Sequence, residues 1–334
     1  MNIIIPMAGM GKRMRPHTLT IPKPLIPIAG KPIVQRLVED IAKVCGKPIH
    51  EIAFIIGRFG PEVEAHLIQV AAEVGAKGRI FYQDEALGTA HAVQCAKECL
   101  NGEVVVAFAD TLFKADFTID TSKDGVIFVQ QVADPTAFGV VTIGADGHIE
   151  GFVEKPKTFV SDLAIIGIYY FKDGGYLKNE IQYLLDNNIR DKGEYQITNA
   201  LENMKNKGTR FFPGSVSEWL DCGNSDATVY TNTRYLSYLE GQNLMASDVV
   251  LEHSVVIQPS YVGKGVKITR SVVGPYASIG DGSQITDSRI KETIVLKNSS
   301  IKNSMISGSM VGNHTSVEGK MNKLSLGDYS TLAE

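Results

Sequence analysis

Up to about residue 235, short apolar runs alternate with longer amphipathic stretches. NIIIPM is followed by PIVQRLVEDIAKV, then by IAFIIG, PEVEAHLIQVAAEV, RIFYQ, GTAHAVQCAKECL and VVVAFAD. Short apolar runs read as strands and helical periodicity as helices, so this order predicts a mostly parallel sheet with helices on both faces. Later runs, GVIFVQQV, FGVVTI, HIEGFVEK and LAIIGIYYF, are joined by short turns such as ADG, which predicts that the sheet becomes mixed. SDATVYTNTRYLSYLEGQNL then reads as a connecting helix.

Beyond Ser247 the rhythm changes. Aliphatic residues recur every five or six positions at Ile279, Ile285, Ile290, Val295, Ile301, Ile306, Val311 and Val317, and any three successive steps add up to 16 residues. Ile257, Val262, Ile268 and Val273 extend the series backwards, with Gly, Ser, Asn and Asp between, as in SVVGPYASIGDGSQI. That period is too long for a strand and too short for a helical repeat. It describes a parallel β-helix of three short faces per coil, each face supplying one inward aliphatic. A coiled coil would need heptads and a disordered tail would hold few aliphatics. The expected domains are therefore a catalytic α/β domain over 1–235, a helix end and linker over 236–246, and a β-helix over 247–334.

Composition narrows the function classes. The 334 residues are 44% apolar with one tryptophan, enough for one large core or two moderate ones. A net charge of −4 gives no bulk attraction to nucleic acid or an anionic membrane, so no such partner is expected. No apolar run approaches the roughly 20 residues of a membrane helix, and MNIIIPMAG lacks the basic start and apolar core of a secretion signal, so a cytoplasmic location is expected. Cys45, Cys95, Cys99 and Cys222 show no zinc-finger pairing and read as buried thiols.

Local cation chemistry lies in PMAGMGKRMRPHTLTIPKPL, which follows the first apolar run and holds Gly9, Gly11, Lys12, Arg13, Arg15 and Lys23. A P-loop would need Gly at position 6 and Ser or Thr at position 13, where Pro6 and Arg13 stand. A dinucleotide fingerprint would need a third glycine where Met14 stands. What survives is a strand, a glycine turn whose N–H groups can approach phosphate oxygens, and flanking cations, or else an ordinary basic loop. VVVAFAD presents Asp110 at a strand's carboxyl end, and EWLDCG does the same with Asp221. Two such carboxylates suit a divalent ion bound through oxygen, though either also fits a turn cap. FVEKP sets Glu154 beside Lys155 at another strand end.

Taken in order, PMAGMGKRMRPHTLTIPKPLIPIAGKPI, LGTAHA, FAD, FGVV, FVEKP, GEYQITN and WLDCGN resemble the sugar-phosphate nucleotidyltransferases, or nucleoside-diphosphate-sugar pyrophosphorylases. The nearest flavour is the long-form glucose-1-phosphate thymidylyltransferases and the related uridylyltransferases. The resemblance covers nearly the whole chain. The family signature stands here as Ala8, Gly9, Gly11, Arg13, Pro22 and Lys23, with Met10 and Lys12 departing from the commoner Gly and Thr.

The resemblance implies a Rossmann-like mixed sheet flanked by helices, of the GT-A-like nucleotidyltransferase kind, followed by a left-handed parallel β-helix. It implies transfer of a nucleotidyl group from a nucleoside triphosphate to a sugar 1-phosphate. Arg13 and Lys23 would be catalytic, and Asp110 and Asp221 would hold Mg²⁺. Ala8, Gly9, Gly11, Gln83, Gly88, Thr89, Gly139, Glu154 and Lys155 would bind substrates. A glutamine amide both donates and accepts, as the edge of uracil or thymine requires, which favours UTP or dTTP. A homo-oligomer is expected. The alternatives are a non-catalytic regulatory homologue and a bifunctional nucleotidyltransferase/acetyltransferase with His314 in its β-helix.

Overall fold

A computed structural model describes residues 1–319 and 323–333. These residues form two compact units. One comprises Met1–Gly9 with Leu37–Trp219, the other Met10–Arg36 with the chain from Leu220 onward.

The first unit is built on a nine-stranded sheet of β1 (Asn2–Pro6), β2 (Glu51–Ile56), β3 (Lys77–Tyr82), β4 (Val104–Ala107), β5 (Gly125–Gln131), β6 (Gly139–Ile143), β7 (Ile149–Glu154), β8 (Leu163–Phe171) and β9 (Phe211–Ser215). The order is β7-β6-β8-β4-β1-β2-β3, with β5 pairing β8 and β9. Parallel pairing joins β4, β1, β2 and β3, where Ile4 stands opposite both Ala53 and Val106. Every residue of β1 and β4 is buried, which is why these strands read as unbroken Ile and Val runs. β6, β7 and β8 join antiparallel, so the sheet is mixed as expected. The pattern did not disclose β9, which contains Pro213 and Gly214 and pairs parallel with β5 alone, the edge position at which proline is tolerated.

Helices α1 (Ile33–Cys45), α2 (Pro61–Glu73) and α3 (Thr89–Cys95) follow the expected alternation, whereas α4 (Gly174–Asp186) and α5 (Ile197–Asn206) were not read from the pattern. Proline at the start of α2 and Glu62 and Glu64 in its first turn suit a helix N-terminus. The α3 pattern continues to Leu100, but the helix stops at Cys95, where turn bonds such as Ala96 N–H to the Val93 carbonyl replace helical ones.

In the second unit the chain from Val250 winds into a left-handed parallel β-helix whose strands stack in three sheets of six, four and five members. Ile268 stands over Ile285, Ile301 and Val317, Val273 over Ile290 and Ile306, and Val262 over Ile279, Val295 and Val311. All of these are at most 2% exposed and form one apolar column. At the first coil the expectation fails by one residue. Val256 pairs with Val273 and faces the column, whereas Ile257 is 41% exposed.

Serine hydroxyls thread the stack. Ser254, Ser271 and Ser288 each accept from the backbone N–H of the serine one coil further on, Ser271, Ser288 and Ser304. At another corner Asp281, Asn313 and Asp328 side chains accept from the N–H groups of Lys264, Lys297 and Asn313. Corner amides are thereby satisfied, which explains the polar residues between the aliphatics.

The rest of this unit is α6 (Ser225–Tyr238) and the segment Met10–Arg36. Asn224 caps α6 by accepting from Ala227 N–H at 3.0 Å. The segment makes short 3-10 turns at Lys12–Met14, His17–Leu19 and Lys23–Leu25, then a hairpin of Pro27–Ile28 with Lys31–Pro32. A Cβ on Gly30, at the hairpin tip, would fall 2.2 Å from the Tyr261 ring. Asn232 of α6 accepts from Ala29 N–H at 2.9 Å and from the Ser278 hydroxyl at 2.7 Å, pinning hairpin, helix and coil together.

Candidate active site

The glycine turn opens where β1 ends. Gly9 is exposed, and no protein atom lies within 4 Å of a Cβ built on it, so internal packing does not require glycine there. The half-exposed Ala8 precedes it. Gly11 is a different case. Its φ of 57° is left-handed, and a Cβ would meet Lys23 Cβ at 3.0 Å and Thr18 Cγ2 at 3.1 Å. The Thr18 hydroxyl also donates to the Gly11 carbonyl at 2.8 Å. Lys23 is therefore held beside the turn that precedes Arg13. Arg13 is exposed, but its neighbour Met14 is fully buried and its sulfur accepts from the Thr228 hydroxyl at 3.4 Å, which anchors the turn. Met10 is 68% exposed and Lys12 is exposed, so both departures from the family signature lie on accessible surface.

In the same unit, Asp221 ends the strand Glu218–Asp221. Its Oδ1 accepts from Gly223 N–H at 3.0 Å and its carbonyl accepts from the Thr231 hydroxyl at 2.8 Å. A Cβ on Gly223 would crowd both carboxylate oxygens at 3.0 Å, so the WLDCG spacing shapes the aspartate's turn.

The first unit carries the remaining residues. Gln83 continues β3, its N–H bonded to the Ile56 carbonyl at 3.0 Å. Its Nε2 lies 3.2 Å from the Gly88 carbonyl and 3.2 Å from His91 Nδ1. A carbonyl can only accept, so the amide face turned to Gly88 is the nitrogen, and His91 Nδ1 then accepts with its proton on Nε2. Burial holds the His91 imidazole below its ordinary value, with the charge and backbone of Glu85 acting the other way.

GEYQITN laces this turn in place. Tyr195 N–H donates to the Leu87 carbonyl at 2.8 Å and Ala90 N–H to the Tyr195 carbonyl at 2.9 Å. A Cβ on Gly88, whose φ is 116°, would come within 2.5 Å of the Tyr195 carbonyl oxygen. The Thr89 hydroxyl donates to Gln196 Oε1 at 3.0 Å and accepts from Ile197 N–H at 2.9 Å, so its hydrogen bonds shape the turn.

A second cluster lies where β6 begins and β7 ends. Gly139 stands opposite Glu154, and a Cβ on Gly139 would approach Glu154 Oε2 at 3.0 Å. Thr198 donates to the same oxygen at 3.3 Å, while Lys155 Nζ lies 3.3 Å from Oε1. Lys155 is itself left-handed, φ 43°, and Lys192 Nζ donates to the carbonyls of Glu154 and Lys155 at 3.3 and 2.8 Å.

Asp110 follows β4 in a loop fixed by Phe108 N–H to the Gly167 carbonyl and Ala109 N–H to the Pro6 carbonyl. The phenol of Tyr169 is pushed far up, first by complete burial and then by the charges of Glu154 and Asp110. Trp219 ties the neighbourhood together, edge-on to Phe138 at 5.0 Å with its indole N–H 3.4 Å from the Thr111 hydroxyl.

Sequence reasoning did not single out His91, Lys192, Gln196 or Thr198, although LGTAHA and GEYQITN contain three of them. Among the described residues no group of three or more His, Cys, Asp or Glu forms a metal cage. The donors offered by Asp110 and Asp221 are hard oxygens. Each is of the donor type that Mg²⁺ takes, since that ion is held by one or two carboxylates plus substrate phosphates rather than by an all-protein cage.

The family model described as nucleotidyl transferase matches residues 2–237. A glucose-1-phosphate thymidylyltransferase of Streptomyces antibioticus is 29% identical, over 90% of this chain and 88% of that one. The bifunctional protein GlmU of Methanococcus maripaludis is 28% identical, over 78% of this chain and 62% of its own length. In fold, the chain is similar to a UDP-glucose pyrophosphorylase solved with UDP-glucose, with a TM-score of 0.57, 23% identity, and coverage of 71% of this chain and 98% of that one. The chain belongs to the nucleotidyl transferase family and is a nucleotidyltransferase.

Proposed function

We propose that the protein transfers a nucleotidyl group from UTP or dTTP to a sugar 1-phosphate, with glucose 1-phosphate favoured, giving a nucleotide-sugar and pyrophosphate. The observation that carries the choice of base is the orientation of Gln83. Its amide nitrogen is taken by Gly88 and His91, so the carbonyl oxygen remains for a ligand. An acceptor there selects a base with a ring N–H at that edge, as in uracil and thymine, and rejects cytosine and adenine, whose ring nitrogens are acceptors.

An oxygen of the sugar phosphate attacks the α-phosphorus, the bond from that phosphorus to the bridging oxygen breaks, and pyrophosphate leaves. The nucleophile is already an anion, so no protein base is required. Catalysis is then charge compensation and alignment. Arg13 and Lys23 hold the triphosphate, and the open space beside Gly9 admits a phosphate to the backbone. Lys155 holds the sugar phosphate, while Glu154, fixed by Thr198, takes sugar hydroxyls beside Gly139. Mg²⁺, bound through Asp110 and Asp221, would supply further neutralisation of phosphate charge.

The same reading takes 1–235 as the catalytic domain, 247–334 as an assembly element of a homo-oligomer, and the cytoplasm as the location. Among the described residues no helix is long and apolar enough to cross a membrane. Acetyl transfer is the weaker reading of the β-helix. His314, with φ 52°, sits at a coil corner stacked on Tyr329 at 5.0 Å and 6°, as a structural corner residue would. Steady-state assays with a panel of triphosphates and sugar 1-phosphates test the proposal. Turnover with UTP or dTTP supports it, and turnover confined to ATP or CTP contradicts the base assignment.

A further inference from the structure

The segment that carries Arg13 and Lys23 rests on the far end of the chain. His17, fully buried, lies with Nε2 3.2 Å from the Ser325 hydroxyl, a residue of the last described coil. Its Nδ1 is buried without a hydrogen-bond partner among the described residues. One step along, a Cβ on Gly327 would fall 2.9 Å from Pro16 Cβ, so only glycine lets the coil approach this closely. The Thr20 hydroxyl donates to Asp328 Oδ2, while the other oxygen of that carboxylate accepts from Asn313 N–H at 2.7 Å. Three contacts thus bracket Pro16–Thr20, which lies between the two cations. They fall on alternate or adjacent residues of one coil, Ser325, Gly327 and Asp328.

A 3-10 turn of three residues has too few internal hydrogen bonds to hold a shape alone. Lys12–Met14, His17–Leu19 and Lys23–Leu25 are such turns, so their geometry depends on what they pack against. Misplacing a phosphate-binding cation by about 1 Å can cost a hundredfold in rate.

We propose that Ser325, Gly327 and Asp328 are positioning residues for nucleotidyl transfer: the last described coil of the β-helix sets the conformation of the Arg13–Lys23 loop, and through it the binding of the triphosphate. This rests on the proposed role of Arg13 and Lys23. The coil supplies no atom to the reaction. It supplies the surface on which the loop takes its shape.

The test uses the full-length chain. Ser325→Ala removes the hydroxyl facing His17, Thr20→Val removes the donor to Asp328, and Gly327→Val drives the coil from Pro16. Arg270→Ala, which breaks an exposed pair with Asp287 elsewhere on the β-helix, is the control. Combining Ser325→Ala with Thr20→Val should raise the KM for the triphosphate about tenfold while the KM for the sugar phosphate stays within about twofold. Ser325→Thr, which keeps a hydroxyl, should restore most of the loss.

Limited trypsinolysis gives a readout independent of activity. Cleavage after Lys12 and Arg13 should accelerate in the coil variants and not in Arg270→Ala. Unchanged cleavage overturns the proposal. So does a parallel rise in both KM values that tracks a lower melting temperature, because that is what general destabilisation would produce. If no variant, wild type included, releases pyrophosphate with any substrate pair, the functional reading fails, while cleavage still decides whether the coil holds the loop.

Discussion

Gln83 Nε2 lies 3.2 Å from His91 Nδ1, so a histidine that touches no expected substrate group decides which face of the glutamine amide is left for a base. His91 is a positioning residue in this arrangement, and its protonation would replace the acceptor on Nδ1 with a donor that repels the amide N–H. Burial keeps the imidazole below its ordinary value of 6.5, so the acceptor persists through neutral pH and is lost only on the acid side. His91→Ala should raise the KM for UTP or dTTP about fivefold with little change in kcat. Wild type should show the KM for the triphosphate rising as pH falls below the ordinary imidazole range, and the variant should lack that rise. Parallel pH profiles would contradict the assignment.

Lys155 and Arg13 should separate by substrate. Lys155→Ala is expected to raise the KM for the sugar phosphate more than that for the triphosphate, because its ammonium stands beside Glu154 at the end of β7. Arg13→Ala should lower kcat about a hundredfold or more, the usual loss when a preorganised charge partner of a transition state is removed. Initial-rate kinetics with each substrate varied in turn check both. A reversed pattern would mean that the two substrates are placed backwards.

Asp110→Asn and Asp221→Asn should each abolish most turnover and leave the circular dichroism spectrum close to wild type, since an amide binds Mg²⁺ poorly and carries no charge. Mg²⁺ titration of residual activity should shift to higher concentration in both. Near-normal turnover at low Mg²⁺ in either variant removes that aspartate from the metal site.

His17 predicts a pH dependence of stability. Burial lowers its pKa from the ordinary 6.5, with the charge of Asp328 opposing. The unfolded chain therefore binds its proton at higher pH than the folded one. Stability is unaffected well above 6.5 and falls as pH drops below it. His91, lowered by burial as well, adds in the same direction. Melting temperatures between pH 8 and pH 5 should decline on the acid side, and His17→Leu should decline less steeply. A melting temperature that rises on acidification would refute the sign.

Much of the fold was legible because both units repeat a simple physical demand. Strands buried on both faces must be runs of Ile and Val, and a stacked coil must offer one inward aliphatic per face. The failures have identifiable causes. Ile257 was read as inward because VVI at the first coil has no preceding coil to fix its register, and Val256 takes the place. β9 was hidden by Pro213 and Gly214, which an edge strand accommodates. At the site, local motifs pointed to Gly139, Glu154 and Lys155, whose strand register brings them together. They could not show that Thr198 fixes Glu154, or that Thr20 meets Asp328 308 residues away, because a motif carries no information on contacts across the chain.

The central claim is most directly tested by measuring pyrophosphate release in Mg²⁺ with each of UTP, dTTP, ATP, CTP and GTP against glucose 1-phosphate and other sugar 1-phosphates. The prediction is release with UTP or dTTP plus glucose 1-phosphate, dependent on both substrates and accompanied by a stoichiometric nucleotide-sugar. Absence of release across the whole panel, or release only with ATP, CTP or GTP, would contradict it.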